Sequence, residues 1–268
     1  MTELRNPSPA SRVGVLDAIG MGWSLMFSDF WMLWVLGIVF FAVNLGVGIF
    51  GCLLCCLLPL VPFFVGSPLN AGLFRAVRRR IDGGTVQVAD LFAGFQPSLY
   101  WQIVIAGLPV AGVDMISQVV QLSARLVINL AQPMVKERFL TGDIALGVIV
   151  LAVLGGLFLA LVLAVVRLFF TFALLAIWDQ PMTGGDALKV SMRLAWDHFW
   201  PLVGLVLLFA LLGMAAVVAG ALACCVGLFI TVPAVTVWEH IALIYVYRAW
   251  RGQPLVQPQT APPPLPAV

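Results

Sequence analysis

Residues 31–50 read WMLWVLGIVFFAVNLGVGIF, twenty positions without a charge. About 20 consecutive apolar residues, wound as a helix at 1.5 Å each, cross the roughly 30 Å hydrocarbon core of a bilayer. A helix of a soluble core would show a polar stripe at a period of 3.6, and a barrel strand would alternate at a period of 2. This run does neither, so it reads as a transmembrane helix.

Working outward, the same pattern returns. A second span runs from about 53 to 74 and ends in Arg75, Arg78, Arg79 and Arg80. A third covers about 101–120, with an amphipathic extension over 121–133. The run 144–178 has 35 residues; at about 50 Å it must tilt, protrude or bend. The fifth and sixth spans are 200–219 and 223–246. The chain is 62% hydrophobic and 10% charged with mean hydropathy +1.08, against about 45–50% and 25% in soluble domains. No soluble core hides that much apolar surface. The fold class expected is all-α: a polytopic membrane helix bundle with about six transmembrane helices plus interfacial amphipathic helices.

The interfacial helices follow from spacing. Leu16, Ile19, Trp23, Met26 and Phe30 fall on one helical face, while Asp17, Ser24, Ser28 and Asp29 keep the segment out of the hydrocarbon. Asp90 to Phe95 and Asp186 to Phe199 read the same way, and Tyr100 with Trp101 forms an aromatic belt. The domain layout is a flexible 1–12, one membrane domain over 13–252 with a middle hairpin 98–178, and a tail 253–268. Six prolines in that tail, Pro254 to Pro266, favour extended, solvated chain. Glu3, Pro7 and Pro9 make the N-terminus a poor cleavable signal, so the first span is expected to act as an uncleaved one.

Sliding the chain by 169 positions lays 17–83 on 186–252 without a gap. Asp17-Ala18 meets Asp186-Ala187, Phe30-Trp31 meets Phe199-Trp200, Cys55-Cys56 meets Cys224-Cys225, Arg79 meets Arg248 and Gly83 meets Gly252. The rare residue types align, which apolar composition alone does not produce. The repeat unit is an interfacial helix plus a two-span hairpin. Two spans separate the units, so the repeat is expected to be parallel. With six spans, one side holds Arg5, Arg12, Arg75, Arg78, Arg79, Arg80, Lys189, Arg193, Arg248 and Arg251, ten of the 14 basic residues. The other side has Lys136 and Arg138. The positive-inside rule then puts both termini in the cytoplasm of a bacterial inner membrane. Arg75, Arg78, Arg79 and Arg80 are candidate contacts to anionic headgroups, which makes the lipid bilayer the expected partner.

Polar residues inside apolar runs are costly and face a bundle interior or a water-filled cavity. They are Asn44, Asn70, Asp114, Arg167, Glu239 and His240. Arg167 lies about 16 Å of helix from Trp178 and Glu239 about 13 Å from Arg248. Those matched depths make Glu239 the expected partner of Arg167, with Asp114 second. Asn70 is the repeat-equivalent of Glu239. The candidate cluster is Arg167, Glu239, Asn70, His240 and Asp114, read either as a register-fixing polar pin or as a substrate or proton site. The five cysteines lie in apolar surroundings as packing residues, with a bridge between the repeats as an alternative. Phosphate-loop, zinc-helix and nucleophile-elbow patterns are absent. Nothing in the chain calls for a metal, a cofactor or nucleic acid.

Pro68-Leu69-Asn70-Ala71-Gly72-Leu73-Phe74-Arg75, with Gly83 and Asp90-Leu91-Phe92-Ala93-Gly94-Phe95, forms one cassette; Asp186-Ala187-Leu188, Ser191, Arg193-Leu194 and Phe199-Trp200 form another. Together these resemble bacterial membrane proteins related to the membrane domain of glycerophosphoryl diester phosphodiesterase. The resemblance covers roughly 15–250 and implies a six-helix membrane protein. It does not imply hydrolase chemistry, which belongs to a separate soluble domain in that group. Three functions are therefore expected in this order: a non-catalytic scaffold or assembly factor, a transporter or channel for a small or lipid-like solute, and a lipid-acting enzyme. A polar cavity reaching Glu239 favours the second, and a dry, filled bundle favours the first.

Overall fold

A computed structural model describes residues 15–53, 60–136, 147, 155–156, 159, 162–163, 165–222 and 227–254. Among the described residues the chain is helical throughout, without a strand. Its elements are α1 Val15–Ser28, α2 Phe30–Leu53, α3 Leu60–Ile81, a 3-10 helix Val88–Phe95, α4 Pro97–Lys136, α5 Ala173–Asp179, α6 Gly184–Asp197, α7 Phe199–Leu222 and α8 Leu228–Trp250. A helical stretch 165–170 precedes α5.

Four helices are long and apolar enough to cross a membrane: Phe30–Phe50, Pro97–Val120, Phe199–Leu222 and Leu228–Trp250. This is the composition of a multi-pass membrane protein. α7 shows why. Leu202, Leu205, Phe209, Ala216 and Gly220 on one face are buried, yet Leu207, Leu211, Met214, Val218 and Leu222 on the other are exposed and equally apolar. A helix apolar all round needs an apolar solvent outside.

α3 runs from Leu60 to Ile81, with Arg75, Arg78, Arg79 and Arg80, in which the second span was expected to end, inside its last turns. Those charges take it below the hydropathy of the other four. Of the expected fourth span, 15 of the 35 positions lie outside the described residues, as do the paired cysteines, the N-terminal arm and the tail from 255. The expected 101–120 span with its extension is a single 40-residue helix, α4. On α1 the buried hydrophobic residues are Ala18, Leu25 and Met26, while Trp23 is exposed.

α8 is the central element, packed against α1, α2, α3 and α7. Its Val237, Ile241, Ile244 and Tyr245 are fully buried or nearly so. The 3-10 helix lies on α3 through two glycines. A Cβ on Gly72 would strike the Leu91 carbonyl, and one on Gly94 would strike that of Pro68. Both first-cassette glycines thus permit one backbone-to-backbone contact.

The long run before Trp178 bends at Thr171–Phe172, where the α-helix lapses into a turn. The cause is an inserted side chain. The fully buried Ser191 of α6 accepts from the Phe172 N–H at 3.1 Å and donates to the Phe169 carbonyl at 2.8 Å. α6 itself is started by Thr183, whose hydroxyl accepts from the Asp186 N–H at 3.2 Å and donates to the Asp186 carboxylate at 2.7 Å. These two contacts tie the interfacial helix to the bend and so set where Arg167 stands.

Candidate functional site

A cavity of about 520 Å³ opens between α2, α3, α4, the segment 167–174 and α8. All five residues of the candidate cluster line it: Asn70, Asp114, Arg167, Glu239 and His240. Asn44 joins them from α2, together with Gln118, Thr171 and Thr236.

The pairing inside it corrects the depth argument. Arg167 meets Asp114, with Nη1 donating to Oδ1 at 3.4 Å. Glu239 forms no hydrogen bond or ion pair among the described residues. The depth estimate assumed one straight helix back from Trp178; the bend at Thr171–Phe172 invalidates it. Both partners stay accessible, their side chains 62% and 48% exposed, so the pair stands at the cavity's open rim.

Most polar side chains on the walls spend a donor on their own helix. Asn44 Nδ2 donates to the Phe40 carbonyl at 2.8 Å, and Asn70 Nδ2 to the Gly66 carbonyl at 2.9 Å. The Thr171 and Thr236 hydroxyls donate to the carbonyls of Arg167 and Val232 at 3.0 and 2.9 Å. His240 Nδ1 lies 2.7 Å from the Thr236 carbonyl. A carbonyl only accepts, so the proton sits on Nδ1 and Nε2 of the neutral ring is left as an acceptor. The His240 ring is buried, against Phe74 with centroids 4.5 Å apart.

Gln118, Thr171 and Thr236 were missed in the sequence because such residues occur on any helix. Their signal was spacing. Gln118 follows Asp114 by four, Thr171 follows Arg167 by four and Thr236 precedes His240 by four, each on one helical face.

The arginine-rich end is a network. Arg78 reaches Asp179 at 3.2 Å, Arg79 reaches Asp90 at 3.2 Å, and Arg80 pairs with Asp29. Arg75 lies over the Trp178 ring, 5.0 Å from its centroid. Arg248 holds Asp82 at 2.6 Å, and Gln253 donates to Asp179 at 2.6 Å. All four arginines proposed for headgroups have a partner within the protein. Sequence reading missed those aspartates, although Asp82, Asp90 and Asp179 all stand at helix ends beside the arginine clusters. Trp178 adds a bond from its Nε1 to the Ala71 carbonyl at 2.7 Å, next to Asn70. The network thus clamps α3 to the α5 end.

No family model matches the sequence, and no curated protein and no solved structure is similar to it.

Proposed function

We propose that this chain is a multi-pass carrier whose central cavity binds a small or lipid-like solute within the membrane. One observation carries this: polar groups from α2, α3, α4, the 167–174 segment and α8 converge on a single cavity that reaches Glu239. A scaffold has no need of it. Desolvated polar groups cost free energy unless satisfied, and a dry bundle would fill the space with apolar side chains. The volume falls in the range of about 300–1,000 Å³ usual for ligand sites.

The architecture belonging to this reading has six spans, α3 and the 144–178 run completing the four. It is a parallel duplication with both termini in the cytoplasm of a bacterial inner membrane. Helix bounds support the duplication: α1 and α6, and α2 and α7, start and stop at positions 169 apart. So do the left-handed Gly83 and Gly252, at φ 80° and 64°. Burial follows the same register. Ala18 and Ala187, Leu33 and Leu202, and Leu36 and Leu205 are all fully buried, whereas Trp31 and Trp200 are 72% and 78% exposed. Those tryptophans would sit at the headgroup level. The ion-paired arginines would lie at the same face, where anionic lipid meets the exposed side of Arg79. The resemblance to the phosphodiesterase membrane domain is in keeping with this layout and adds no chemistry.

The test is water access. In a protein whose native cysteines are replaced, Ala111→Cys on the cavity wall should react in proteoliposomes with a membrane-impermeant thiol reagent. Leu211→Cys, on the lipid-facing side of α7, should not. An unreactive Ala111→Cys would mean a dry bundle and return the chain to the scaffold class.

A further inference from the structure

We infer that the solute is a small organic cation, a protonated amine or quaternary ammonium, with Glu239 as its counter-charge. This rests on the carrier reading and names its substrate class. The juxtaposition that carries it is a carboxylate without a partner among the described residues, in a cavity whose walls are rich in acceptors and carry aromatic rings.

Consider charge first. Arg167 and Asp114 offset each other at the rim. His240 directs its Nδ1 proton at the Thr236 carbonyl and, as a neutral ring, adds no charge. Among the described residues Glu239 has no hydrogen-bond or ion-pair partner, so in its ionised form it would leave these groups with one negative charge in excess. A carboxylate without a partner is among the costliest groups to keep in a low-dielectric site. A bound cation would remove that cost, while an anion would double it.

Hydrogen-bonding capacity points the same way. Asn44, Asn70, Thr171, Thr236 and His240 each direct a donor at a backbone carbonyl. What remains toward the cavity is rich in acceptors: two amide oxygens, two hydroxyl oxygens, an imidazole nitrogen and the Glu239 carboxylate. The donors still free are the second amide hydrogens, those of Gln118, the Ser67 hydroxyl and the outer N–H groups of Arg167. An ammonium with up to three N–H donors fits such a lining. Phe40, Phe74 and Phe170 supply aromatic surface on the same walls, which attracts alkylammonium groups through their faces.

A bare metal ion fits less well. A hard cation takes six or more oxygen ligands and several carboxylates, and no group of three or more His, Cys, Asp or Glu among the described residues could hold a metal. The space of about 520 Å³ also exceeds what one ion fills.

The experiment uses the full chain in detergent micelles and follows binding by calorimetry. The probes are tetramethylammonium and butylammonium, their neutral analogue neopentyl alcohol, and the anion methyl phosphate. Both ammonium probes should bind at least tenfold more tightly than the other two. Glu239→Gln should lose at least tenfold for the ammonium probes, and Glu239→Asp should keep the preference. Should Glu239→Gln prove unstable, Glu239→Asp and Asn70→Leu, the latter expected to weaken ammonium binding severalfold, decide the matter. Equal binding of neopentyl alcohol, or methyl phosphate binding lost in Arg167→Met and kept in Glu239→Gln, would overturn the cation while leaving the solute site standing. If no probe of any charge bound and Ala111→Cys were unreactive, the carrier reading itself would fall.

Discussion

Ser191→Ala removes two hydrogen bonds at once and tests how the bend positions Arg167. The hydroxyl is fully buried, accepts from Phe172 N–H at 3.1 Å and donates to the Phe169 carbonyl at 2.8 Å. Each stranded backbone group costs about 1–3 kcal/mol when it finds no substitute. The chain has one escape. Phe172 N–H can return to the Leu168 carbonyl, which now accepts from Thr171 N–H at 3.3 Å. That would straighten the helix and recover one of the two bonds, leaving a net loss of roughly 2 kcal/mol. At about 2–4 °C per kcal/mol for a chain of this size, the melting temperature should drop by roughly 4–8 °C.

Intrinsic tryptophan fluorescence in micelles can follow this transition, since Trp178, Trp196 and Trp250 surround the region. Straightening also swings Arg167 away from Asp114, so the exposure of an Ala111→Cys thiol should change in parallel. Ser191→Thr keeps the hydroxyl and should retain most of the stability. A melting temperature for Ser191→Ala within 1 °C of wild type would show that the serine does not hold the bend, and the account of Arg167's position would fail with it.

Asp179→Asn should destabilise by about 2 kcal/mol in the same melt. Its carboxylate is only 6% exposed and holds Arg78 and Gln253, but Arg78 is 28% exposed and water replaces part of the loss; a change under 0.5 kcal/mol would dissolve the proposed clamp. A double-mutant cycle of Arg167→Met with Asp114→Asn should give a coupling of about 0.5–1 kcal/mol, the scale of an accessible pair. The same cycle with Glu239→Gln should give less, and the reverse order would restore the pairing first expected from depth. The Asp186 carboxyl is held below its ordinary value of 3.8, first by the Thr183 hydroxyl and then by Lys189. A depressed carboxylate stabilises above its unfolded pKa and loses that as pH falls through the folded one. The start of α6 should therefore loosen only below about pH 4, read from Trp196 fluorescence; Asp186→Asn should flatten that profile, and loosening already at pH 6 would contradict it.

The membrane helices were legible because a bilayer demands a long apolar run, a signal that survives without alignment. The cluster was legible for the complementary reason: Asn70, Asp114, Arg167, Glu239 and His240 stand out against apolar neighbours, and all five meet at one cavity. What escaped was geometry set by tertiary contact. Arg167's partner depends on a bend made by Ser191, which is 24 residues further along the chain, and no local pattern announces it. The apolar stripe of α1 did not say which of its residues pack inward: Trp23 is exposed, while the small Ala18 is fully buried. The arginines read as free charges because their aspartates are scattered over 29, 82, 90 and 179, brought together only by folding.

The proposed duplication would account for the asymmetry of the cavity. In the proposed register Glu239 corresponds to Asn70, His240 to Ala71, Thr236 to Ser67 and Gly213 to Asn44. The α3 and α8 members share the lining at two of these positions, Asn70 with Glu239 and Ser67 with Thr236, whereas His240 faces the cavity and Ala71 is buried elsewhere. The first helices of the hairpins do not share it. α2 contributes Phe40 and Asn44, whereas α7 contributes Val206 alone. Packing is the reason, since α8 is wedged between α2 and α7 and presents a different side to each. Two copies of one unit therefore cannot keep equal roles. On that reading the central α8 carries the carboxylate and the imidazole, while α3 offers the neutral Asn70 and Ser67. A charge placed symmetrically on both copies would bring two carboxylates into one low-dielectric space, where like charges oppose each other's ionisation. Divergence to one Glu and one Asn leaves a single ionisable centre surrounded by dipoles, the arrangement a monovalent ligand needs.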